Sequence, residues 1–388
     1  MVRFIVTCPL TSNEELRMEK KITLIISVLV VAAVIGAAAG LTYYLTPNDD
    51  DSVRYVVVPP TQMGDWLQGG DGSAYIAWEP FVSSATVGGY GTVLNWSNEI
   101  MPNHPCCVVV LSNEFASTAN GYDLSLRFLK AHVETTEWML EALADKDGSE
   151  YQLLVNMSVA FTLRDAEVVQ EALEHVKYGW EMGSDFREAL EQFTEMYVES
   201  GIIEEGTVED RGYQNVTDFV SSYVNDSYLG ELDSVSESMT ILNPDDPIRL
   251  GYLAGDIHQL AQYVAANRSV LGGTLSIFEK YGLNVAAATG APYDNGGIEM
   301  GAFIAGHVDI GYLGAPPAIL NKLNVDADTT IIAQANSEGS AVVVATGSQI
   351  SSLADLSGKI VATPGESSIQ HLLLKIALNE QGLRLVKA

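Results

Sequence analysis

The chain has few cysteines and few basic residues. Its three cysteines are Cys8, Cys106 and Cys107. The last two are adjacent, and a disulfide between neighbouring cysteines is strained and rare, so a disulfide-rich fold is excluded. Lysine and arginine number 20 against 50 aspartates and glutamates, which gives a net charge of −30. Because a surface this acidic repels nucleic acid, we exclude a nucleic-acid partner.

Sequence signatures of enzymes are also absent. The chain has no P-loop, no G-x-S-x-G, no H-E-x-x-H and no paired C-x-x-C, so we predict no catalytic residue, no metal and no cofactor. The densest His/Cys segment is His104-Pro105-Cys106-Cys107. Neighbouring residues on a strand point to opposite faces, so at most one thiol can share a site with His104. A buried, inert cysteine pair is the simpler interpretation.

A long uncharged run lies near the start of the chain. Residues 22–45 carry no charge and are long enough to span a bilayer. Basic residues precede this run and Asp49, Asp50 and Asp51 follow it, which predicts that residues 1–21 are cytoplasmic and the rest extracytoplasmic. We expect an uncleaved membrane anchor, and a cleavable signal sequence is the alternative.

Beyond this run the composition is that of a globular protein, with 47% hydrophobic and 18% charged residues. Apolar strand-like segments alternate with helix-like ones, a rhythm that predicts a parallel, doubly wound α/β sheet. Residues 201–246 are acidic and rich in serine, which indicates mainly a linker. The predicted strands are 53–58, 73–76, 92–96, 107–111, 248–254, 283–288, 307–313, 329–335, 341–346 and 359–363. The predicted helices are 61–67, 122–144, 164–175, 184–200, 216–228, 257–267, 316–323 and 367–381.

Small and polar residues follow several of these strands. In an open parallel sheet, ligands bind at the carboxyl ends of the strands, where helix N-termini present N–H groups. The strand ends therefore predict a ligand cleft, although Asp256 alone is equally a good helix N-cap. The candidate ligand contacts at these ends are Asp256, His258, Gln259, Gly314, Ala315, Glu338, Ser340, Ser367 and Ser368.

A further candidate pair, Trp78 and Glu79, follows the predicted strand 73–76. Trp78 can stack on a planar or cationic ligand, and Glu79 can pair with a positive group. The alternative places Trp78 in hinge packing and Glu79 as an acidic residue at a helix start.

Seven segments resemble the solute-binding proteins of nitrate, sulfonate, taurine and bicarbonate ABC importers. They are IRLGYLAGDIHQ, FEKYGLNV, GHVDIGYLGAPPAI, ANSEGSAVVVA, LADLSGKIVATPGESSIQHLLL, GSAYIAWEPF and NHPCCVVVLS. The resemblance implies a type II periplasmic-binding-protein-like fold, in which two α/β lobes clamp a ligand. It also implies that the candidate contacts above bind the ligand, with Trp78 and Glu79 on the opposite side.

The order of these segments differs from that of the family, in which the segment similar to IRLGYLAG comes first. We therefore expect a circularly permuted two-lobed domain behind one transmembrane helix. The expected parts are a first lobe made of 105–235 and 248–345, a linker at 236–247, and a second lobe made of 52–100 and 350–388.

The resemblance implies a non-enzymatic receptor on the outer face of the cell membrane. It would deliver a small sulfonate-, nitrate-, bicarbonate- or pyrimidine-like molecule to an ABC permease. A ligand-sensing module is one alternative. A second is an enzyme of thiamine-pyrimidine synthesis from the same fold family, which HPCC resembles only faintly.

Overall fold

The computed structural model describes residues 51–388 of the chain. The predicted cytoplasmic segment 1–21 and membrane segment 22–45 lie outside the described residues. Within residues 51–388, no helix is long and apolar enough to cross a membrane. The described part is built on two main sheets, with helices packed around them.

The first sheet has six strands in the order β13-β1-β12-β2-β11-β3. Its strands come from both ends of the described chain, and β1 pairs in parallel with both β12 and β13. In contrast, β11 runs antiparallel between β2 and β3. The strands are β1 (Ser52–Val57), β2 (Ala74–Trp78), β3 (Gly91–Trp96), β11 (Ser340–Ala345), β12 (Ile360–Thr363) and β13 (Arg384–Lys387).

The second sheet has five strands in the order β7-β6-β8-β4-β9. Its interior strand β4 is CVVVLS, an almost entirely buried run that fits a strand covered on both faces. This strand runs antiparallel to β8 and β9. The strands are β4 (Cys107–Ser112), β6 (Ile248–Gly251), β7 (Val285–Ala287), β8 (Ile310–Gly314) and β9 (Thr329–Gln334), and a separate two-stranded ribbon pairs β5 (Val176–Tyr178) with β10 (Asn336–Glu338).

Sixteen α-helices accompany the strands within residues 51–388. Four short 3₁₀ turns lie at Leu232–Ser234, Ile257–Gln259, Arg268–Leu271 and Leu353–Leu356. The helices are α1 (Pro60–Gln68), α2 (Phe81–Val87), α3 (Ser97–Ile100), α4 (Asn113–Ala116), α5 (Gly121–Ala144), α6 (Ser149–Thr162), α7 (Ala166–Ala172), α8 (Ser184–Glu199), α9 (Thr207–Asp210), α10 (Val216–Tyr223), α11 (Ser227–Gly230), α12 (Leu260–Ala266), α13 (Ile277–Lys280), α14 (Gly296–Ile304), α15 (Ala315–Val325) and α16 (Ile369–Glu380).

Three expectations from the sequence need correction. Each main sheet is mixed rather than parallel, because β4 and β11 run against their neighbours. Residues 201–246 are not mainly a linker: α9 to α11 lie there, and Phe219 and Tyr223 are buried in the core. The sequence also predicts that the first lobe extends to residue 345. In the structure, β11 pairs with β2 in the six-stranded sheet and therefore belongs to the other lobe.

Candidate functional site

Two segments carry the chain between the main sheets, and they pair with each other. One joins β3 to β4, and the other joins β9 to β11 through β10. Cys106 N donates to Asn336 O across 3.1 Å, and Glu338 N donates to His104 O across 3.1 Å. Asn336 also accepts the Cys107 N–H on its side-chain oxygen at 2.9 Å. These paired crossing segments form a two-stranded hinge between two lobes, each built on one main sheet.

A small cavity lies between the lobes, beside the hinge. Both sheets and one crossing segment contribute to its wall. The lining residues are Trp78, Cys106, Cys107, Leu253, Asp256, Asn295, Gly296, Gly314, Pro317, Pro364, Ser367, Ser368, Ile369 and Gln370.

Asp256 is the carboxylate of this wall, and its oxygens are already hydrogen-bonded. Oδ1 accepts from the backbone N–H of His258 at 3.0 Å, and His258 Nδ1 also lies 3.0 Å from it. Oδ2 accepts from Gln259 Nε2 at 3.0 Å and lies 3.9 Å from Cys107 Sγ. Asp256 therefore caps the turn Ile257–Gln259, and it also fixes the two polar side chains behind the cavity.

His258 is fully enclosed behind Asp256. Burial acts to lower its pKa, but Cys106, Asp256 and Glu79 outweigh burial and raise the pKa to about 9. The imidazolium therefore neutralises Asp256 near pH 7. The Nε2 atom of His258 has no hydrogen-bond partner among the described residues and faces Gly339 in the hinge.

Cys106 and Cys107 are both free thiols that line the cavity, although each residue is only 2% exposed. The Cys107 thiol, which hydrogen-bonds to Cys106, lowers the pKa of Cys106, and the same contact together with burial raises the pKa of Cys107. His104 precedes the pair but does not line the cavity, and burial lowers its pKa to about 4. Among the described residues, no His/Cys/Asp/Glu group could hold a metal ion.

Trp78 ends β2 and faces the cavity from the six-stranded sheet. Its Nε1 is buried and has no hydrogen-bond partner among the described residues. A buried donor without a partner is costly to the folded state. Phe81 packs edge-on against the Trp78 ring at 5.9 Å between centroids and fixes its orientation.

Among the helices that begin at the cavity, α14 and α16 come from different lobes. Asn295 caps α14 by accepting the Ile298 N–H at 3.0 Å, and Ser368 caps α16 by accepting the His371 N–H at 3.2 Å. The two starts face each other across the cleft. A Cβ atom added to Gly297 would lie 3.7 Å from Ser367 Oγ.

The structure thus brings Trp78, Asp256, Gly314, Ser367 and Ser368 to the cavity wall. His258 and Gln259 support Asp256 from behind. The other predicted contacts, which do not line the cavity, are Glu79, Ala315, Glu338 and Ser340.

Each of these four residues makes hydrogen bonds to other groups of the protein. The Glu79 carboxylate is fully buried and accepts from Ser83 N and Oγ at 2.9 and 2.8 Å. Burial raises the pKa of Glu79, and the hydrogen bonds from Ser83 lower it. The effect of burial is larger, so the pKa rises to about 7. Ala315 N donates to Cys106 O, and Ser340 Oγ accepts from Gln370 Nε2.

Glu338 lies in the hinge itself. Its Oε1 accepts from Asn103 N at 2.9 Å and from Lys177 Nζ at 2.8 Å. Its backbone has a φ of +63°, a conformation that side chains rarely adopt. Glu338 therefore ties the crossing segments together, and it does not line the cavity.

Sequence reasoning missed several lining residues. A signal existed for two groups of them: Asn295 and Gly296 lie in a glycine-rich turn before a helix, and Ile369 and Gln370 directly follow the Ser367-Ser368 pair. No comparable signal marks Leu253, Pro317 or Pro364. The cysteine pair stands out in the sequence, but its pattern gives no reason to place both thiols at the cavity.

Another buried carboxyl, Glu299 of α14, lies behind the wall. Burial, and to a smaller extent Asp256, raise its pKa well above the usual value. A Cβ atom on Gly251 or Gly311 would lie 2.5 or 2.3 Å from Glu299 Oε1, so these two glycines leave the room that the carboxyl needs.

Comparisons with known proteins give two partial family matches. Residues 35–150 match the NMT1-like family, and residues 290–388 match a family described as ABC transporter, phosphonate, periplasmic substrate-binding protein. Binding proteins of Brucella abortus, Brucella suis and Brucella melitensis are each 32% identical over 139 residues. That match covers 36% of this chain and 39% of each relative. Together these similarities support an ABC solute-binding protein as the broad class, consistent with the two-lobed α/β fold.

Proposed function

We propose that this chain is the extracytoplasmic substrate-binding component of an ABC importer. The observation that carries the proposal is the cavity between two lobes, which residues from both main sheets line. A ligand held there contacts both lobes at once, so binding favours the closed arrangement over an open one. The hinge supplies two paired crossing segments about which closure can occur.

The comparisons support the same activity. Residues 290–388, similar to a phosphonate periplasmic substrate-binding family, include the starts of α14, α15 and α16 at the cavity. The Brucella relatives are named as binding proteins. In this proposal the ligand is a small sulfonate-, nitrate-, bicarbonate- or pyrimidine-like molecule. Its contacts are Trp78, Asp256, Gly314, Ser367 and Ser368, and an ABC permease receives it.

The proposal places the described lobes outside the cytoplasm, tethered by residues 22–45 as a membrane helix. The support is the charge pattern: basic residues precede the uncharged run and three aspartates follow it. A circularly permuted segment order is also part of the proposal. Its support is the parallel pairing of β1 with β12, strands near opposite ends of the described chain.

Ligand binding is tested with purified protein and a compound panel of sulfonates, nitrate, bicarbonate, phosphonates and pyrimidines. A compound at one hundred times its dissociation constant stabilises the folded chain by about 2.7 kcal/mol, which raises the melting temperature. Tryptophan fluorescence should change as well, because Trp78 lines the cavity. A folded protein that shows no shift with any compound at millimolar concentration would contradict the proposal.

The transport step needs a separate measurement. Adding the liganded protein to vesicles that contain the cognate permease and ATPase should stimulate ATP hydrolysis. Ligand-free protein, or a Trp78→Ala variant that no longer binds, is the control. Ligand binding without any stimulation would instead indicate a sensing module.

A further inference from the structure

The cavity wall has no strong counter-charge for an anion. No lysine or arginine lines it in the described part of the chain. Its carboxylate, Asp256, is held by His258, Gln259 and the Cys107 thiol. The negative charge of Asp256 is therefore balanced by the buried imidazolium of His258. No other positive charge at the wall is left to pair with a bound anion. Transfer of an oxyanion from water into such a site is unfavourable.

The helix starts do not replace that missing charge. At α15, Pro316 and Pro317 have no N–H, and the Ala315 N–H already donates to Cys106 O at 2.9 Å. At α14 and α16, the cap side chains each take one N–H of the first turn. These helix starts keep a partial positive field, which suits a carbonyl oxygen as well as an anion.

Most of the remaining wall is apolar or polarisable. Leu253, Pro317, Pro364 and Ile369 line it together with the two thiols. Such a surface favours the faces and edges of an uncharged ring. Trp78 adds a single directed polar contact, since its buried Nε1 has no partner among the described residues.

We infer that the cavity binds an uncharged ring compound whose carbonyl oxygen accepts the Trp78 Nε1–H, in preference to a sulfonate, phosphonate, nitrate or bicarbonate. This inference rests on the proposed receptor function and narrows its ligand class.

Matched pairs of probes test this preference by titration calorimetry on the full chain at pH 7.5. The pairs are nicotinamide and nicotinate, benzamide and benzoate, and uracil and orotate. Within each pair the ring is kept and a carboxylate distinguishes the anionic member. We expect the uncharged member of at least one pair to bind tenfold or more tightly than its anionic partner.

Two variants locate the effect in the cavity. Trp78→Phe keeps an aromatic side chain, although a smaller one, and removes the N–H, and it should weaken binding of the uncharged probe about tenfold. Trp138→Phe, in α5 and away from the cavity, should leave binding unchanged. Ser367→Lys adds a cation at the α16 start and should raise nicotinate affinity at least fivefold. If Trp78→Phe does not fold, Ser367→Lys tests the preference for uncharged ligands on its own.

The outcomes separate the inference from the function that it assumes. Tighter binding of the anionic members to the native chain overturns the inference and leaves the receptor function standing. An unchanged nicotinate affinity in Ser367→Lys also contradicts it. If no probe binds up to 5 mM and the broader panel also gives no shift, both the inference and the proposed function fail.

Discussion

His258 Nδ1 lies 3.0 Å from Asp256 Oδ1, and both side chains are almost completely buried. Asp256 lines the cavity, while the other ring nitrogen of His258 faces Gly339 in the hinge. This pair therefore connects the cavity wall to the hinge segment. Its charge state affects both stability and the electrostatic field in the cavity.

Asp256→Asn is expected to lower the pKa of His258 and to destabilise the chain by about 3–5 kcal/mol at pH 6, because a buried charge loses its partner. The pKa of His258, about 9, lies above the ordinary histidine value of 6.5. The pair's contribution is therefore complete below about pH 6.5 and is lost as the pH rises through about 9. Urea unfolding at pH 6 and pH 9.5 should show a steeper loss for the native chain than for the variant.

The matched control for that experiment is Glu171→Gln, which removes the partly exposed pair between Glu171 and His175. It should change stability by less than about 1 kcal/mol at either pH. Equal pH slopes for the native chain and Asp256→Asn would contradict the assignment of a charged His258.

Glu79→Gln should change the pH dependence of stability without changing ligand affinity. The pKa of Glu79 is raised from 4.5 to about 7, so its contribution is complete below about pH 4.5 and is lost as the pH rises through about 7. That loss is on the order of 3 kcal/mol in the native chain. It should be absent in the variant when urea unfolding at pH 4.5 and pH 7.5 is compared. Glu99→Gln, at an exposed cap, is the control, and a tenfold loss of affinity in Glu79→Gln would return this residue to the ligand site.

Gly339→Ala should destabilise the hinge through a steric clash. Gly339 has a φ of +74°, and an added Cβ would lie 2.3 Å from His258 Nε2 and 2.9 Å from Val176 Cγ2. Gly347 has a φ of +77° with nothing within 4 Å, so Gly347→Ala carries the backbone cost alone. We expect Gly339→Ala to cost about 1–3 kcal/mol more than Gly347→Ala in chemical unfolding. Equal costs would show that His258 moves away freely.

Gly297→Leu should hinder closure of the cleft. Its Cβ would lie 3.7 Å from Ser367 Oγ, and the rest of a leucine side chain extends further. The affinity for the tightest compound of the panel should fall about tenfold, and ligand should no longer reduce the radius of gyration in X-ray scattering. Gly301→Leu places the same residue on α14 with nothing within 4 Å of its Cβ, and it should behave as the native chain. Equal affinities in the two variants would argue against closure at this point.

The sequence predicted most strands and the cavity edge, because apolar runs and strand-end glycines are local features. The run at Cys107–Ser112 and the cap at Asp256 are both present where expected. The direction of β4 and β11 was not predictable, since a strand buried on both faces has the same pattern in either direction. The sequence also does not predict side-chain orientation. Glu79 directly follows Trp78, but its carboxylate accepts a hydrogen bond from Ser83.

The six-stranded sheet also constrains the order in which the chain can fold during synthesis. Its first strand, β1, pairs only with β12 and β13, which the ribosome makes last among the described strands. The five-stranded sheet needs nothing beyond β9, so that lobe can be completed first. Before β11, β12 and β13 have been synthesised, the edges of β1, β2 and β3 are unpaired, and such edges favour aggregation. A nascent chain released before residue 360 would therefore need a chaperone far more than the finished protein does.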